Sequence, residues 1–184
     1  MHLLSMFRDP QHQEQTSNTL VIHPFDPSTA FLLSAYEEKP YDVLHGSIHP
    51  LDDLMDRYEH LVFMGHGWVQ GFFSMGMFPG SFAFEPHQAW ELEGEHTYIW
   101  CQASHFVKAY GLHGFATGMF ISEVGEAMCY QMQVPQSTVD ESNQAFVNAL
   151  RAQDTPVPDL ERLLHDYDGA NPIIQFNREL FRRF

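Results

Sequence analysis

Short apolar runs of strand length, alternating with segments of helical pattern, constrain this chain more than any other feature. Residues 19–23 (TLVIH), 41–45 (YDVLH), 60–65 (HLVFMG) and 97–100 (TYIW) are near-continuous apolar stretches, each closed by a turn or capping signal. Strands read this way when helices cover both faces of a parallel sheet, because side chains pointing either way are then buried. The alternation of strand and helix over residues 19–135 predicts an α/β fold. We expect a three-layer α/β/α sandwich with a mostly parallel sheet. At 184 residues one domain suffices. A polar, Gln-rich arm over 1–18 is expected to be loosely held, with the domain over 19–184 and added C-terminal helices over about 138–184.

Local signals place the connecting elements. Ser28 is a good N-cap for a helix over Thr29–Glu38, and Leu51, Leu54 and Met55 have helical spacing within residues 50–58. Residues 68–93 are rich in Gly, Phe and Met. They predict a hairpin turning at Pro79-Gly80, then a short helix over 86–92, a wall or lid for a substrate as readily as extra packing. A helix over 102–110 closes at Gly111, a further strand covers 114–121, and Ser122 caps a helix beginning near Glu123. Thr138 and Glu141 have capping-box spacing for a helix to about Gln153, and 158–167 and 172–184 are the last two helical segments.

The chain carries 9 Lys+Arg against 24 Asp+Glu, a formal charge of −15. Such a surface repels phosphate backbones and anionic lipid, which argues against nucleic acid and membrane as partners. The basic cluster over Arg178–Arg183 reads as favourable charge in the last turn of a helix. Two cysteines, Cys101 and Cys129, cannot make a disulfide framework. No apolar run approaches the roughly 20 residues of a bilayer span, and the first residues lack the core of a signal peptide. A reduced, cytoplasmic protein is the expectation.

Two of the apolar runs end on chemically competent residues: the third at His66-Gly67, the fourth at Cys101. On adjacent parallel strands, those residues would share the carboxyl edge of the sheet, where open α/β folds bind their ligands. A thiol titrating near 8.5 is activated by an imidazole and by a helix N-terminus, and Cys101 is expected to have both. Gly67 would let a substrate carbonyl approach backbone N–H groups acting as an oxyanion hole. Each residue also has an ordinary reading, as a core cysteine or a satisfied histidine at a strand end.

An apolar strand ending in His-Gly, followed by one ending in Cys, resembles the catalytic signature of the caspase/gingipain/separase superfamily of cysteine peptidases, which includes the bacterial CHAT domains. The resemblance covers roughly residues 19–135. It implies that His66 is the acid/base and Cys101 the nucleophile of peptide hydrolysis, with Gly67 as the glycine after the histidine. It also implies a specificity residue in the loop after the first strand. Asp26 lies in that loop and would select a basic P1 residue; the same Asp is equally an ordinary turn or capping residue. Trp68 and Glu123 are further candidates for substrate contact; Glu123 and Glu126 could line the same edge of the sheet, and both read also as helix-start acids. No cofactor is implied, and a homo-oligomer or a protein partner is compatible with the family.

Two other classes stay open. A peptidase-like module could bind a protein through residues 68–90 without cleaving it. A metal-binding hydrolase could use Cys101 and His105, four apart on a helix face, with His66 as third ligand. No G-x-S-x-G elbow, P-loop or G-x-G-x-x-G accompanies the first strand, so serine hydrolases and nucleotide binding are disfavoured. His45, His49, His87, His96 and His113 are read as surface or packing residues.

Overall fold

The expected strands pair side by side in the computed structural model, which describes residues 16–24, 26–45, 51–74 and 82–184. In chain order the strands are β1 (Thr19–Ile22), β2 (Asp42–Leu44), β3 (His60–Met64), β4 (Gly67–Trp68), β5 (Gly71–Phe73), β6 (Phe82–Phe84), β7 (Glu95–Ile99), β8 (His113–Ala116) and β9 (Arg182–Arg183). One sheet has the order β2-β1-β3-β7-β8-β9, parallel throughout except for the last pair. β4, β5 and β6 form a separate three-stranded antiparallel sheet. The fold is therefore mixed α/β with a mostly parallel six-stranded sheet. The expected Pro79-Gly80 turn lies outside the described residues, as do residues 1–15 of the arm.

Alternation along the central strands divides the core in two. Leu20, Ile22, Leu61, Phe63, Tyr98 and Trp100 face one cluster, and Val21, Val62, Met64, Ile99 and Phe115 face another. The first face is covered by α1 (Asp52–Met55), by the small sheet with α2 (Pro86–Ala89), and by α3 (Ala103–Tyr110). This layer is part helix and part antiparallel sheet, the sheet coming from the Gly-, Phe- and Met-rich segment read as extra packing. Its centre is Phe63, whose ring stacks on Phe84 at 4.7 Å and on Tyr98 at 5.7 Å and meets Phe72 edge-on at 5.6 Å.

The second face is covered by a 3-10 helix over Pro27–Ala35 and by the C-terminal helices. Those following α4 (Val124–Cys129) are α5 (Gln136–Arg151), α6 (Leu160–Asp166) and α7 (Pro172–Arg178). Among the described residues no helix is long and apolar enough to cross a membrane.

Several boundaries differ from the sequence expectation, each for a local reason. The segment after β1 is a 3-10 helix that starts at Pro27 with Asp26 as its N-cap; Asp26 accepts from the Ser28 backbone N–H at 2.8 Å. Ser28 is therefore inside the helix and does not cap it. α5 begins at Gln136, immediately after Pro135, so Thr138 lies within it, and Glu141 accepts instead from Asn171 Nδ2 at 3.0 Å. The last helix stops at Arg178, and Arg182–Arg183 form an edge strand against β8, with Arg183 paired to Glu95 at 2.7 Å. Arg178 thus lies in the last turn of α7, as expected, while Arg182 and Arg183 serve the sheet edge. Thr16 and Ser17, placed by expectation in the loose arm, are tied to the Asp42 carboxylate through their backbone N–H groups at 3.0 and 3.3 Å.

Candidate active site

The β3–β7 register sets the site. Val62, Phe63 and Met64 stand opposite Thr97, Tyr98 and Ile99, and the Gly65 N–H extends the ladder to Ile99 O at 3.0 Å. Two residues beyond Met64 and Ile99 come His66 and Cys101, at equivalent positions on neighbouring strands. Both line a cleft of about 560 Å³ at the carboxyl edge of the sheet. Trp68, Phe73, Phe82 and Met119 give it apolar walls, and Glu126 and Gln70 bring polar groups. An apolar cleft with a few convergent polar groups is the usual form of a small-ligand or substrate site.

His66 is oriented by the loop after β1. The Ser28 hydroxyl donates to Asp26 Oδ1, and its oxygen lies 2.7 Å from His66 Nε2. Since the single hydroxyl proton goes to Asp26, the Ser28 oxygen must accept from Nε2–H. The ring is thereby held as the tautomer with its lone pair on Nδ1, which makes Nδ1 the basic nitrogen. Asp26 Oδ1 is itself 3.5 Å from His66 Nε2. Burial works against the Asp26 charge, but the two Ser28 hydrogen bonds and the nearby imidazole outweigh it and lower its pKa.

That loop rests on a second histidine. His23, at the end of β1, is buried, with Nδ1 2.7 Å from the Tyr36 hydroxyl and Nε2 3.1 Å from Thr29 Oγ1. Thr29 Oγ1 donates to Asp26 O at 3.3 Å and so accepts from His23 Nε2–H, and in the neutral ring Nδ1 then accepts from the Tyr36 hydroxyl. Burial above all, with His45 nearby, pulls the His23 pKa down to about 4. His96 in β7 is neutral for the same reason: burial lowers it to about 4, and its Nδ1 accepts from Leu61 N–H at 3.0 Å.

Both histidines titrate higher in the unfolded chain than in the folded one, so the unfolded state binds more protons between pH 6.5 and 4. Their stabilisation is full above pH 6.5 and is lost as pH falls toward 4. Each is expected to cost about 2 kcal/mol by pH 5 and about 3 kcal/mol below pH 4. Denaturant unfolding at pH 7 and pH 5 measures this; equal stability at the two values would refute it.

Cys101 sits on a tight strand-to-helix turn. Gln102, which follows it, has φ 69°, in the left-handed region that side chains other than glycine rarely adopt. Such strain costs of order 1–3 kcal/mol and gathers at functional sites. The turn is held by Gln102 N–H to Gly118 O at 3.0 Å and by Ser104 N–H to Thr117 O at 2.8 Å. The Cys101 thiol lies 3.7 Å from Phe120 O and 3.8 Å from Glu126 Oε1, one proton between two acceptors. Burial, reinforced by the Glu126 charge, pushes its pKa up to about 12. The expected lowering by a helix N-terminus and an imidazole is thus overturned in the free protein.

Phe120–Ser122, which carries one of those acceptors, is itself fixed from outside. Asn177 donates to Ile121 O at 3.1 Å and accepts from Ile121 N–H at 2.8 Å, and Asn143 donates to Ser122 O at 2.9 Å.

The remaining candidates fall into place around this pair. Gly67 lines the cleft, but an added Cβ would meet Trp100 Cγ at 2.6 Å and Gly71 O at 2.8 Å. The space that the glycine leaves is filled by the Trp100 indole, where a substrate carbonyl was expected. Trp68 lines the cleft and is 47% exposed, so it can meet a ligand. Asp26 is turned to Ser28 and His66 and is not among the lining residues, so the carboxylate expected to hold a basic P1 residue orients the histidine instead.

Glu123 is the N-cap of α4, in a capping box with Glu126; it is Glu126 that reaches the cleft. His105 is exposed, and among the described residues no three His, Cys, Asp or Glu side chains are placed to hold a metal ion. The Cys101–His105–His66 metal set is therefore not formed.

Sequence reasoning gave Ser28 only a capping role, and it set Glu126 at the sheet edge beside Glu123 without saying which acid enters the cleft. The Asp26-Pro27-Ser28 string gives the signal for the first, since an Asp N-cap before Pro frees the following Ser for another partner. The Glu123/Glu126 spacing gives the signal for the second, since a capping box fixes which acid faces inward. Compared with known proteins, the chain matches no protein-family model, no curated protein and no solved structure.

Proposed function

We propose that the protein is a cysteine-dependent hydrolase of peptide bonds on a caspase-like α/β framework, with His66 as acid/base and Cys101 as nucleophile. One observation carries the reading: the β3–β7 register brings an imidazole and a thiol to equivalent positions at the carboxyl edge of the sheet, where both line one cleft. The Asp26–Ser28–His66 chain supports it by leaving Nδ1 as the base.

In the reaction His66 takes the Cys101 S–H proton, and the sulfur adds to the scissile carbonyl carbon. His66 passes the proton to the leaving amine as the C–N bond breaks, which leaves an S-acyl enzyme. It then takes a proton from water; the hydroxide adds to the acyl carbon, and the C–S bond breaks to restore the thiol and release a carboxylate. The apolar walls from Trp68, Phe73, Phe82 and Met119 suit a large apolar side chain beside the scissile bond.

Incubation with a mixed peptide library, with new termini identified by mass spectrometry, tests this. Cleavage is expected in the native protein and not in folded Cys101→Ala. Cleavage that persists in Cys101→Ala overturns the assignment. The raised thiol pKa favours a second reading, a module that binds peptide without cutting it; its signature is peptide binding with no new termini from either form.

A further inference from the structure

Glu126 is built into the site more firmly than a helix-capping acid needs to be. Its Oε2 accepts from Ser122 N–H at 2.8 Å, from Glu123 N–H at 3.1 Å and from Ser122 Oγ at 3.2 Å. These three donors fix the carboxylate and leave Oε1 directed at Cys101 Sγ, 3.8 Å away. Glu126 also lines the cleft, so a ligand entering it meets this carboxylate beside the sulfur.

We propose that Glu126 is a latch on Cys101: it holds the S–H proton in the free protein, and a bound substrate must displace that contact before His66 can take the proton. This rests on reading His66 and Cys101 as the catalytic pair. Geometry carries it, and the direction of the thiol pKa agrees. A carboxylate next to a sulfur repels a thiolate and accepts from a thiol, so it selects the protonated form. The second acceptor, Phe120 O, comes from a segment that Asn177 and Asn143 hold still, so the thiol cannot escape by drift of its surroundings. The thiol pKa, pushed to about 12 by burial and by the Glu126 charge, has the direction such a latch requires. Glu126 is a positioning residue on this account, acting through the sulfur's proton.

The test is alkylation by iodoacetamide at pH 7.5 in full-length protein carrying Cys129→Ser, which leaves Cys101 as the single thiol. Glu126→Gln keeps an oxygen for the Ser122 and Glu123 N–H groups while removing the charge. It is expected to alkylate about tenfold faster or more, since each unit of lowered thiol pKa raises the thiolate fraction tenfold. Ser122→Ala removes one capping donor but keeps the charge, and is expected to stay within about twofold of the parent.

A Glu126→Gln rate equal to the parent's overturns the latch. So does equal acceleration by Ser122→Ala, which would mean general loosening. If Glu126→Gln accelerates alkylation but no form cleaves peptide, the latch holds and the peptidase reading falls. If peptide is cleaved but Glu126→Gln leaves alkylation unchanged, the peptidase reading holds and the latch falls.

Discussion

Alanine at position 67 is expected to destabilise the protein by about 3 kcal/mol, the upper end of the usual range for overpacking. Its Cβ would lie 2.6 Å from Trp100 Cγ and 2.8 Å from Gly71 O, and neither can yield cheaply. Gly71 O is backbone within the β4–β5 pair, so it cannot move without disturbing that pairing. Trp100 is packed against Phe63, Phe72, Tyr98 and Phe106, and its Nε1–H donates to Trp68 O at 3.2 Å. Moving the indole therefore disturbs the centre of one core face and also the residue before Cys101. Chemical denaturation reads the first effect. A Gly67→Ala protein within about 0.5 kcal/mol of the parent would show that the indole has room to shift.

If the proposed hydrolysis is the activity, loss of the His66 imidazole is expected to slow peptide cleavage by about 10² to 10⁴, equivalent to about 3 to 5 kcal/mol of barrier. His66→Ala removes the proton acceptor but leaves the β3–β7 register and the Cys101 surroundings in place. Alkylation of Cys101 is accordingly expected to change far less than turnover. Ser28→Ala is the graded companion: it keeps the imidazole but frees Nε2, so the ring loses its fixed tautomer and a partial loss should follow. Measured cleavage rates for the two variants order these roles. A His66→Ala protein that cleaves at the parental rate would remove His66 from the mechanism.

The parts of this site that were readable from sequence are those fixed by short-range pattern. The runs at 60–65 and 97–100 are apolar because each is buried on both faces, and a strand's last residues are also its exposed edge; His66 and Cys101 are legible for that reason. Which acid faces the sulfur was not legible in the same way. Glu123 and Glu126 differ only in where α4 starts, and that is decided by Oε2 capturing two successive backbone N–H groups.

The helix expected from Thr29 is shifted, and is 3-10, for a related reason. Pro27 and the Asp26 cap capture the start two residues earlier, and the Ser28 hydroxyl is diverted to His66. The state of the thiol was hidden altogether. Its acceptors, Phe120 O and Glu126, come from the segment after β8, which no spacing rule links to Cys101. Pairing of Arg182–Arg183 with β8 is likewise a contact between distant parts of the chain, and a run of two arginines carries no strand signal of its own.

That terminal pairing has a consequence for synthesis from the ribosome. β1, β2, β3, β7 and β8 are all made before residue 117, and each finds its parallel neighbour among segments already emerged. The outer edge of β8 cannot be completed then. Phe184 exchanges hydrogen bonds with Gly114 at 3.0 and 3.2 Å, and Arg182 stands opposite Ala116, so this edge waits for residues 182–184. Throughout the translation of four helices, α4 to α7, the nascent sheet carries an open row of N–H and C=O groups along β8. An unpaired strand edge is a template for pairing with another chain, and β9 closes β8 to such contacts.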